Sequence, residues 1–249
     1  ALGFSEDGRR LLFQRQQAEG PSTLEWRAIE TGAWTPAWRH PVFDPGAILW
    51  SGRGHPIGVQ SAGGDRRTTL FDPGHEVGAV HAALADLLRG KAVNVGPASG
   101  PEGVRLITSF SDRDPGTFHV WNPNTKQLER LAALLDGVDA ATLAPSTAFS
   151  LQARDGLELH GFLTRPPGRP TGPVPMVLMP HGGPIGVHDD GRYDETVQLL
   201  AAAGYGVLQV NFRGSSGRGK AFLDAGLGQW GAAMQHDLED TVAWAIAEG

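Results

Sequence analysis

The chain has 249 residues, of which 40% are hydrophobic and 19% are charged, so it is long enough for two modest globular domains. Its formal net charge of −6 and the lack of any Lys/Arg block argue against nucleic acid and anionic membranes as partners. The absence of cysteine excludes disulfides, thiolate catalysis and cysteine-bound metals, and no apolar run approaches the roughly 20 residues of a membrane-spanning helix. The composition does not distinguish a cytoplasmic from a periplasmic protein.

The first 145 residues show short strand patterns separated by Gly, Pro, Asp and Asn. Residues 10–12 (Arg-Leu-Leu) recur as residues 105–107 (Arg-Leu-Ile), an offset of 95 residues, and a similar segment at 54–59 lies about halfway between them. Half of that offset, about 47 residues, is close to the length of one four-stranded propeller blade. We therefore predict that residues 1–145 form about three blades of a β-propeller, and an ordinary β-sandwich is the alternative.

One segment of this half departs from the strand pattern. Residues 77–89 place Val80, Leu84, Leu87 and Leu88 at helical spacing, which predicts a helix. About three blades are too few to close a propeller ring. We therefore expect the natural chain to begin upstream of Ala1.

The pattern changes near residue 145. Asp155-Gly156 separates two strand-like segments and predicts a hairpin turn. Two short apolar runs, 176–179 and 206–210, each end in a glycine-rich turn, and Val197, Leu200 and Ala201 between them have helical spacing. Strands that alternate with such helices predict a parallel α/β sheet over residues 146–249.

The last predicted element is a helix over residues 237–248. Asp237 is a suitable N-cap, Glu239 and Asp240 suit the positive end of the helix dipole, and Gly249 occupies a C-cap position. These carboxylates are therefore interpreted as cap and solvated face rather than as catalytic acids.

The turn His181-Gly182-Gly183-Pro184 follows the first parallel strand, where ligands bind in such sheets. A Gly-Gly pair lets the backbone turn sharply and leaves N–H groups free to face a ligand. The α/β-hydrolases use an HGG-type turn at this position to bind the oxyanion of an acyl intermediate. A tight turn that merely needs glycines is the alternative.

Six segments of the chain together resemble the prolyl oligopeptidase family of serine peptidases, particularly its acylaminoacyl-peptidase-like branch. They are residues 111–116 (SDRDPG), 155–156 with 159–163 (DG, LHGFL), 181–184 (HGGP), 211–217 (NFRGSSG), 230–231 (WG) and 237–240 (DLED). The resemblance is weak in the first half and strong over roughly the last hundred residues. It implies an α/β-hydrolase domain, here its N-terminal part, preceded by a β-propeller that restricts access to short peptides.

The same resemblance assigns roles to residues of the glycine turns. It implies that the backbone N–H of Gly183, or less favourably Gly182, is the first oxyanion donor. His181, Pro184 and Arg213 are expected to shape the site rather than to perform chemistry. The resemblance implies no cofactor and no metal, a short peptide as substrate, and allows a homo-oligomer.

One part of the family pattern is missing from the chain. Family members carry the nucleophilic serine in a G-x-S-x-G turn after the next strand, with the aspartate and histidine further on, and no serine here fits that pattern. The nucleophile is expected roughly a dozen residues beyond Gly249. No catalytic triad is therefore predicted within the chain, its C-terminal remainder is an expected partner, possibly as a separate chain, and residues 1–249 are not expected to fold stably alone.

Four other functions are compatible with parts of the sequence. Residues 214–220 (GSSGRGK) fit a phosphate-binding loop, but Ala221 replaces the Ser or Thr that binds Mg²⁺. A metal site could use His181, His188, Asp189 and Asp190, although a solvated acidic turn explains them better. A carboxylesterase of the same fold and an inactive peptide-binding scaffold remain as alternatives, because fold does not fix the substrate.

Overall fold

The computed structural model describes residues 1–64, 68–169 and 171–248. The chain divides into two compact units. The first unit comprises Ala1–Gln17 and Pro21–Val138, and the second comprises Ala18–Gly20 and Asp139–Gly249. None of the described helices is long and apolar enough to cross a membrane.

The first unit contains three antiparallel sheets in chain order, as far as the described residues extend. The strands of the first sheet are β1 (Gly3–Phe4), β2 (Arg10–Arg15), β3 (Thr23–Ala28) and β4 (Trp34–Trp38). The second sheet contains β5 (Pro45–Trp50), β6 (Pro56–Ser61) and β7 (Thr68–Leu70). Helix α1 (Glu76–Leu87) precedes the third sheet, which contains β8 (Ala92–Ser99), β9 (Val104–Ser111), β10 (Asp114–Asn122) and β11 (Gln127–Ala133).

The repeat seen in the sequence corresponds to the second strands of the first and third sheets. Arg10–Arg15 (β2) and Val104–Ser111 (β9) occupy the same place in their sheets, and Leu12 and Ile107 are both fully buried. The period of two along a strand therefore puts equivalent apolar residues into equivalent cores. Three successive antiparallel sheets agree with propeller blades and not with a two-sheet sandwich. The helix predicted at 77–89 is confirmed as α1, with Val80 and Leu84 facing the core.

The described residues of the second unit form one mixed sheet in the strand order β12-β13-β15-β14. Its strands are β12 (Ser146–Gln152), β13 (Glu158–Thr164), β14 (Met176–Leu178) and β15 (Gly206–Asn211), and its helices are α2 (Glu195–Ala202), α3 (Lys220–Asp224) and α4 (Ala233–Glu248). β14 and β15 are parallel, and β13 is antiparallel to both β12 and β15. The predicted hairpin, parallel strands and connecting helix are all confirmed.

The core of this unit forms where the strands meet α4. β15 is buried along its whole length, and Leu151, Leu159, Val210 and Phe212 pack in one cluster. Burying such side chains stabilises the fold by roughly 1.5–3 kcal/mol for each large aliphatic or aromatic group. The carboxyl ends of β14 and β15 both lead from this core into glycine-rich turns.

The predicted start of the last helix is wrong. The helix begins at Ala233 rather than at Asp237, so Asp237 lies in its second turn and is fully buried. Asp237 cannot cap the helix, because its carboxylate accepts hydrogen bonds from Arg213 instead. Glu239 and Asp240 lie inside the helix and both pair with Arg154. The predicted C-cap, Gly249, lies outside the described residues.

Candidate active site

The turn after β14 exposes two backbone amides. Gly182 and Gly183 are both exposed, and Gly183 has φ of 124°, a conformation that side chains disfavour. The Gly183–Pro184 peptide is cis. Within the described residues, neither the Gly182 N–H nor the Gly183 N–H has a hydrogen-bond partner. These two donors are therefore available to an external acceptor.

His181 links this turn to the turn after β15. Its Nε2 lies 2.8 Å from Oγ of Ser215, and its Nδ1 lies 2.9 Å from the carbonyl oxygen of Gly182. Its ring stacks on Phe212 with centroids 4.5 Å apart and an interplanar angle of 16°. The imidazole of His181 is therefore held by polar contacts at both ring nitrogens and by stacking on one face of the ring.

The contact between His181 and Ser215 is not a nucleophile–base pair. Ser215 is fully buried, so its Oγ cannot approach a substrate carbonyl. Its hydroxyl donates to the carbonyl oxygen of Phe212 at 2.7 Å. Because that bond uses the only proton of the hydroxyl, Oγ can only accept from His181. A general base would need the opposite polarity.

A second histidine–serine pair lies beside the first. Nδ1 of His188 is 2.8 Å from Oγ of Ser216. The His188 ring also packs against Gly217, where a Cβ added to the glycine would lie 3.6 Å from the ring atoms. Ser216 is partly exposed. Within the described residues, Nε2 of His188 has no hydrogen-bond partner, so no third group orients this base in the manner of a triad.

Backbone and amide hydrogen bonds connect the same two turns. The Gly186 N–H donates to the oxygen of Gly214 at 2.9 Å, and the Ser216 N–H donates to the oxygen of Val187 at 3.0 Å. Asn211 exchanges two bonds with the backbone of Asp189, both of 2.8 Å. The segment that follows Pro184 is therefore fixed to the end of β15 along residues 186–189.

Asp189 carries a buried carboxylate with one unpaired oxygen. Its Oδ1 accepts from Nε2 of Gln209 at 3.1 Å, whereas Oδ2 is buried without a partner among the described residues. Burial raises the pKa of Asp189, and the neighbouring His181 partly opposes that effect. The carboxyl therefore holds its proton at higher pH than an exposed aspartate does.

Arg213, predicted to shape the site, lies in the turn after β15, and its side chain binds Asp237 and Asp155 rather than the HGGP turn. Its guanidinium bonds bidentately to buried Asp237 at 2.7 and 2.8 Å and to Asp155 at 2.8 and 3.1 Å. Its backbone N–H also donates to Asp237. These hydrogen bonds, first to Asp237 and then to Asp155, raise the pKa of Arg213. One side chain thus joins the end of β15, the β12–β13 hairpin and helix α4.

Two alternatives from the sequence are not supported by the geometry. Lys220 of the apparent phosphate-binding loop pairs with Asp224, and the helix that follows the loop has five residues. Within the described residues, His181, His188, Asp189 and Asp190 do not come together as a group that could hold a metal ion.

Sequence reasoning missed the hydrogen-bonding partners of the HGGP turn. Ser215 and Ser216 stand in the second glycine turn, and Asn211 ends β15, but no short motif links them to residues 181–189. The available signal was topological, since the carboxyl ends of neighbouring parallel strands lie side by side. That rule places the two turns together without specifying the pairs.

One protein-family model and several known proteins match the sequence of the chain. Residues 192–249 match the model of the prolyl oligopeptidase family. The chain is 33% identical over 219 residues to dipeptidyl aminopeptidase BIII of Pseudoxanthomonas mexicana, covering 77% of this chain and 31% of that protein. It is 30% identical to dipeptidyl peptidase family member 6 of Caenorhabditis elegans, over 58% of this chain and 22% of that protein. The chain thus spans about a third or less of the length of these relatives.

Solved structures give the same fold. A puromycin hydrolase mutant superposes with a TM-score of 0.64 at 22% identity, over 98% of this chain and 37% of that one. The acylaminoacyl peptidase of Pyrococcus horikoshii superposes with a TM-score of 0.57 at 16% identity, over 98% of this chain and 38% of that one. The predicted fold class, part of a β-propeller followed by the N-terminal part of an α/β-hydrolase sheet, is confirmed.

Proposed function

The chain belongs to the prolyl oligopeptidase family, and we propose that it forms part of a serine hydrolase that cleaves short or acylated peptides through an acyl-enzyme. The observation that carries this proposal is the exposed N–H of Gly183, which has no hydrogen-bond partner among the described residues. The turn that contains it is held by hydrogen bonds to the turn after β15. Such an amide can bind the developing oxyanion without reorganising during the reaction. Gly182 supplies the second candidate amide.

The nucleophile of this reaction is proposed to lie outside residues 1–249. The chain contains no G-x-S-x-G segment, and Ser215, which contacts His181, is buried and donates its proton to the carbonyl oxygen of Phe212. This chain would then supply an oxyanion donor, while the serine, aspartate and histidine come from polypeptide that follows Gly249. That polypeptide is the proposed partner of the described sheet.

The substrate is proposed to be a short peptide rather than an intact protein. Two relatives that match this chain are named as a dipeptidyl aminopeptidase and a dipeptidyl peptidase, and a propeller that precedes a hydrolase domain would restrict entry to small or unfolded chains. An esterase of the same fold would use the same amide, so the two activities are separated by assay.

The first experiment compares two glycine variants in the full-length protein. Gly183→Ala forces an alanine into φ of 124° and towards Val187 at 3.1 Å, which should turn the amide away from the oxyanion. Gly204→Ala is the matched control, because it forces an alanine into a positive φ of 97° outside the two glycine turns, where an added Cβ meets nothing within 4 Å. We expect Gly183→Ala to lower kcat on acyl-alanine anilides by roughly 10²–10³-fold with little change in KM. We expect the kcat of Gly204→Ala to stay near that of wild type.

The second experiment locates the nucleophile. A fluorophosphonate probe should label the full-length protein, and the labelled peptide should map beyond residue 249. Labelling at Ser216, or no labelling and no turnover of anilides or short-chain esters, would overturn the proposed function. Turnover of esters without peptides would favour the carboxylesterase alternative.

A further inference from the structure

We infer that His181 and Ser215 are positioning residues that aim the Gly183 amide at the substrate. This inference rests on the proposed function. Neither side chain needs to touch the substrate. Their effect passes through the peptide group that joins Gly182 to Gly183.

The first step of the argument is the planarity of that peptide group. The carbonyl of Gly182 and the N–H of Gly183 belong to one peptide unit, so the orientation of one determines that of the other. Nδ1 of His181 lies 2.9 Å from the Gly182 oxygen. A proton on Nδ1 would donate to that carbonyl and hold it on the protein side. In a trans unit the Gly183 N–H then points the opposite way, to the exposed side.

The second step concerns what holds the imidazole. Oγ of Ser215 lies 2.8 Å from Nε2 of His181 and itself donates to the Phe212 oxygen. The hydroxyl therefore accepts from Nε2, and both ring nitrogens face oxygen acceptors. Stacking on Phe212, which is 4% exposed, fixes the plane of the ring.

The third step is the exposure of the turn itself. An added Cβ at Gly182 meets nothing within 4 Å, and neither glycine has a side chain to anchor it. The backbone bonds on this side begin only at Gly186. Among the described residues, the side chain that contacts the Gly182 carbonyl oxygen is therefore the imidazole of His181.

The test uses the full-length protein and four variants. Ser215→Ala removes the acceptor for Nε2, and His181→Leu keeps an apolar side chain near Phe212 but removes both donors. His181→Asn places an amide N–H where Nδ1 stood and should restore part of the lost rate. Ser109→Ala is the matched control, because it removes another buried serine–histidine bond, 3.0 Å to His119, in the first unit.

We expect Ser215→Ala and His181→Leu to lower kcat by roughly tenfold or more with KM unchanged, as misorientation of a catalytic group does. Affinity for a peptide boronate, which forms a tetrahedral adduct, should fall in parallel, while inhibition by the product peptide should not change. His181→Asn should be faster than His181→Leu, and Ser109→Ala should match wild type. Circular dichroism at the assay temperature verifies that each variant is folded.

Two results would overturn the inference while the proposed function stands. One is an active wild-type protein together with Ser215→Ala and His181→Leu variants whose kcat values both lie within twofold of the wild-type kcat. The other is a rise in KM at constant kcat in these variants, which would indicate ground-state binding. An inactive wild type that no fluorophosphonate labels would instead overturn the proposed function, and the inference with it.

Discussion

At the scale of single residues, the arginines of the second unit show how burial decides the value of an ion pair. Arg213 bonds to Asp237, which is fully buried, whereas Arg154 bonds to Asp240 and Glu239 at the surface. Removing one partner of a buried pair leaves an uncompensated charge in the interior. The exposed pair loses little, because solvent already screens it.

We therefore predict that Arg213→Gln lowers the free energy of unfolding by about 3–5 kcal/mol. Arg154→Gln is the matched control and should cause a much smaller change. Urea denaturation of the full-length variants, followed by circular dichroism, measures both. Equal losses in the two variants would contradict the assignment of Asp237 as a buried partner.

Asp189 gives a prediction with a pH dependence of definite sign. Because burial raises its pKa in the folded state, ionisation costs more there than in the unfolded chain. The contribution of Asp189 to stability is therefore lost as pH rises from the ordinary aspartate range through the raised pKa. Asp189→Asn should gain melting temperature relative to wild type, and this gain should widen between pH 4.5 and 7.5.

Asp240 provides the opposite sign as a control for that experiment. The Arg154 hydrogen bonds lower the pKa of Asp240, so its contribution is present above the ordinary aspartate range and is lost as pH falls. Asp240→Asn should therefore be less stable than wild type at pH 7.5 and approach it at low pH. A pH-independent difference for Asp189→Asn would show that Oδ2 gains a partner in the full-length protein.

The same residues show what the sequence could predict about the site. The exposed Gly182 and Gly183 follow from a glycine pair at the end of a strand. The contact of His181 with Ser215 does not, because it joins side chains 34 residues apart. Asp237 was misinterpreted since a carboxylate before an apolar helical stretch fits a cap and a buried partner equally well.

At the scale of elements, hydrophobic spacing was the reliable signal. It predicted α1, α2 and the parallel strands β14 and β15. Each of the two helices buries one face and β15 is buried throughout, whereas β14 is half-buried. The start of α4 was missed by four residues because residues 233–236 (AMQH) carry no cap signal of their own. Packing of Met234 against the core extends the helix there.

The packing of Gly161 between β13 and β15 gives an element-scale prediction. An added Cβ on Gly161 of β13 would lie 2.2 Å from the backbone oxygen of Gln209 and 2.6 Å from the Phe149 ring. Gly161→Ala should therefore separate β13 from β15. We expect a loss of about 1–3 kcal/mol or more in the free energy of unfolding.

Gly206→Ala in β15 is the matched control for this substitution. The nearest atoms to its added Cβ are side-chain carbons of Met176 and Val174 at 3.2 Å, which can move. Thermal unfolding of both full-length variants makes the comparison. A Gly161→Ala protein as stable as Gly206→Ala would show that the sheet tolerates the displacement.

At the scale of the whole molecule, the change of pattern near residue 145 predicted the fold class, an all-β part followed by an α/β part. The contacts between the turn after β14 and the turn after β15 could not be predicted from the sequence, because they depend on which strands become neighbours in the sheet. The order β12-β13-β15-β14 puts the last strand of the sequence inside the sheet and β14 at its edge. The spacing of residues within one strand does not determine this order of strands.

The edge position of β14 leaves an apolar groove on the second unit. The groove has a volume of about 420 Å³ and is lined mainly by side chains of β14 and α4, namely Met176, Leu178, Val242, Ala245 and Ile246. Val242 is 39% exposed and Ile246 is 76% exposed. Within the described residues β14 pairs only with β15, and an edge strand beside exposed aliphatic side chains favours association with other chains or apolar molecules.

A polypeptide limited to residues 1–249 should therefore bind the dye ANS strongly and tend to aggregate. Ile246→Lys should reduce the ANS fluorescence of that polypeptide, because it places a charge at the most exposed position of the groove. Ile29→Lys is the matched control, since Ile29 is 50% exposed but lies in the first unit, outside the groove. Equal dye binding by the two variants would show that the exposed apolar surface lies elsewhere, whereas a selective loss in Ile246→Lys would place it at β14 and α4.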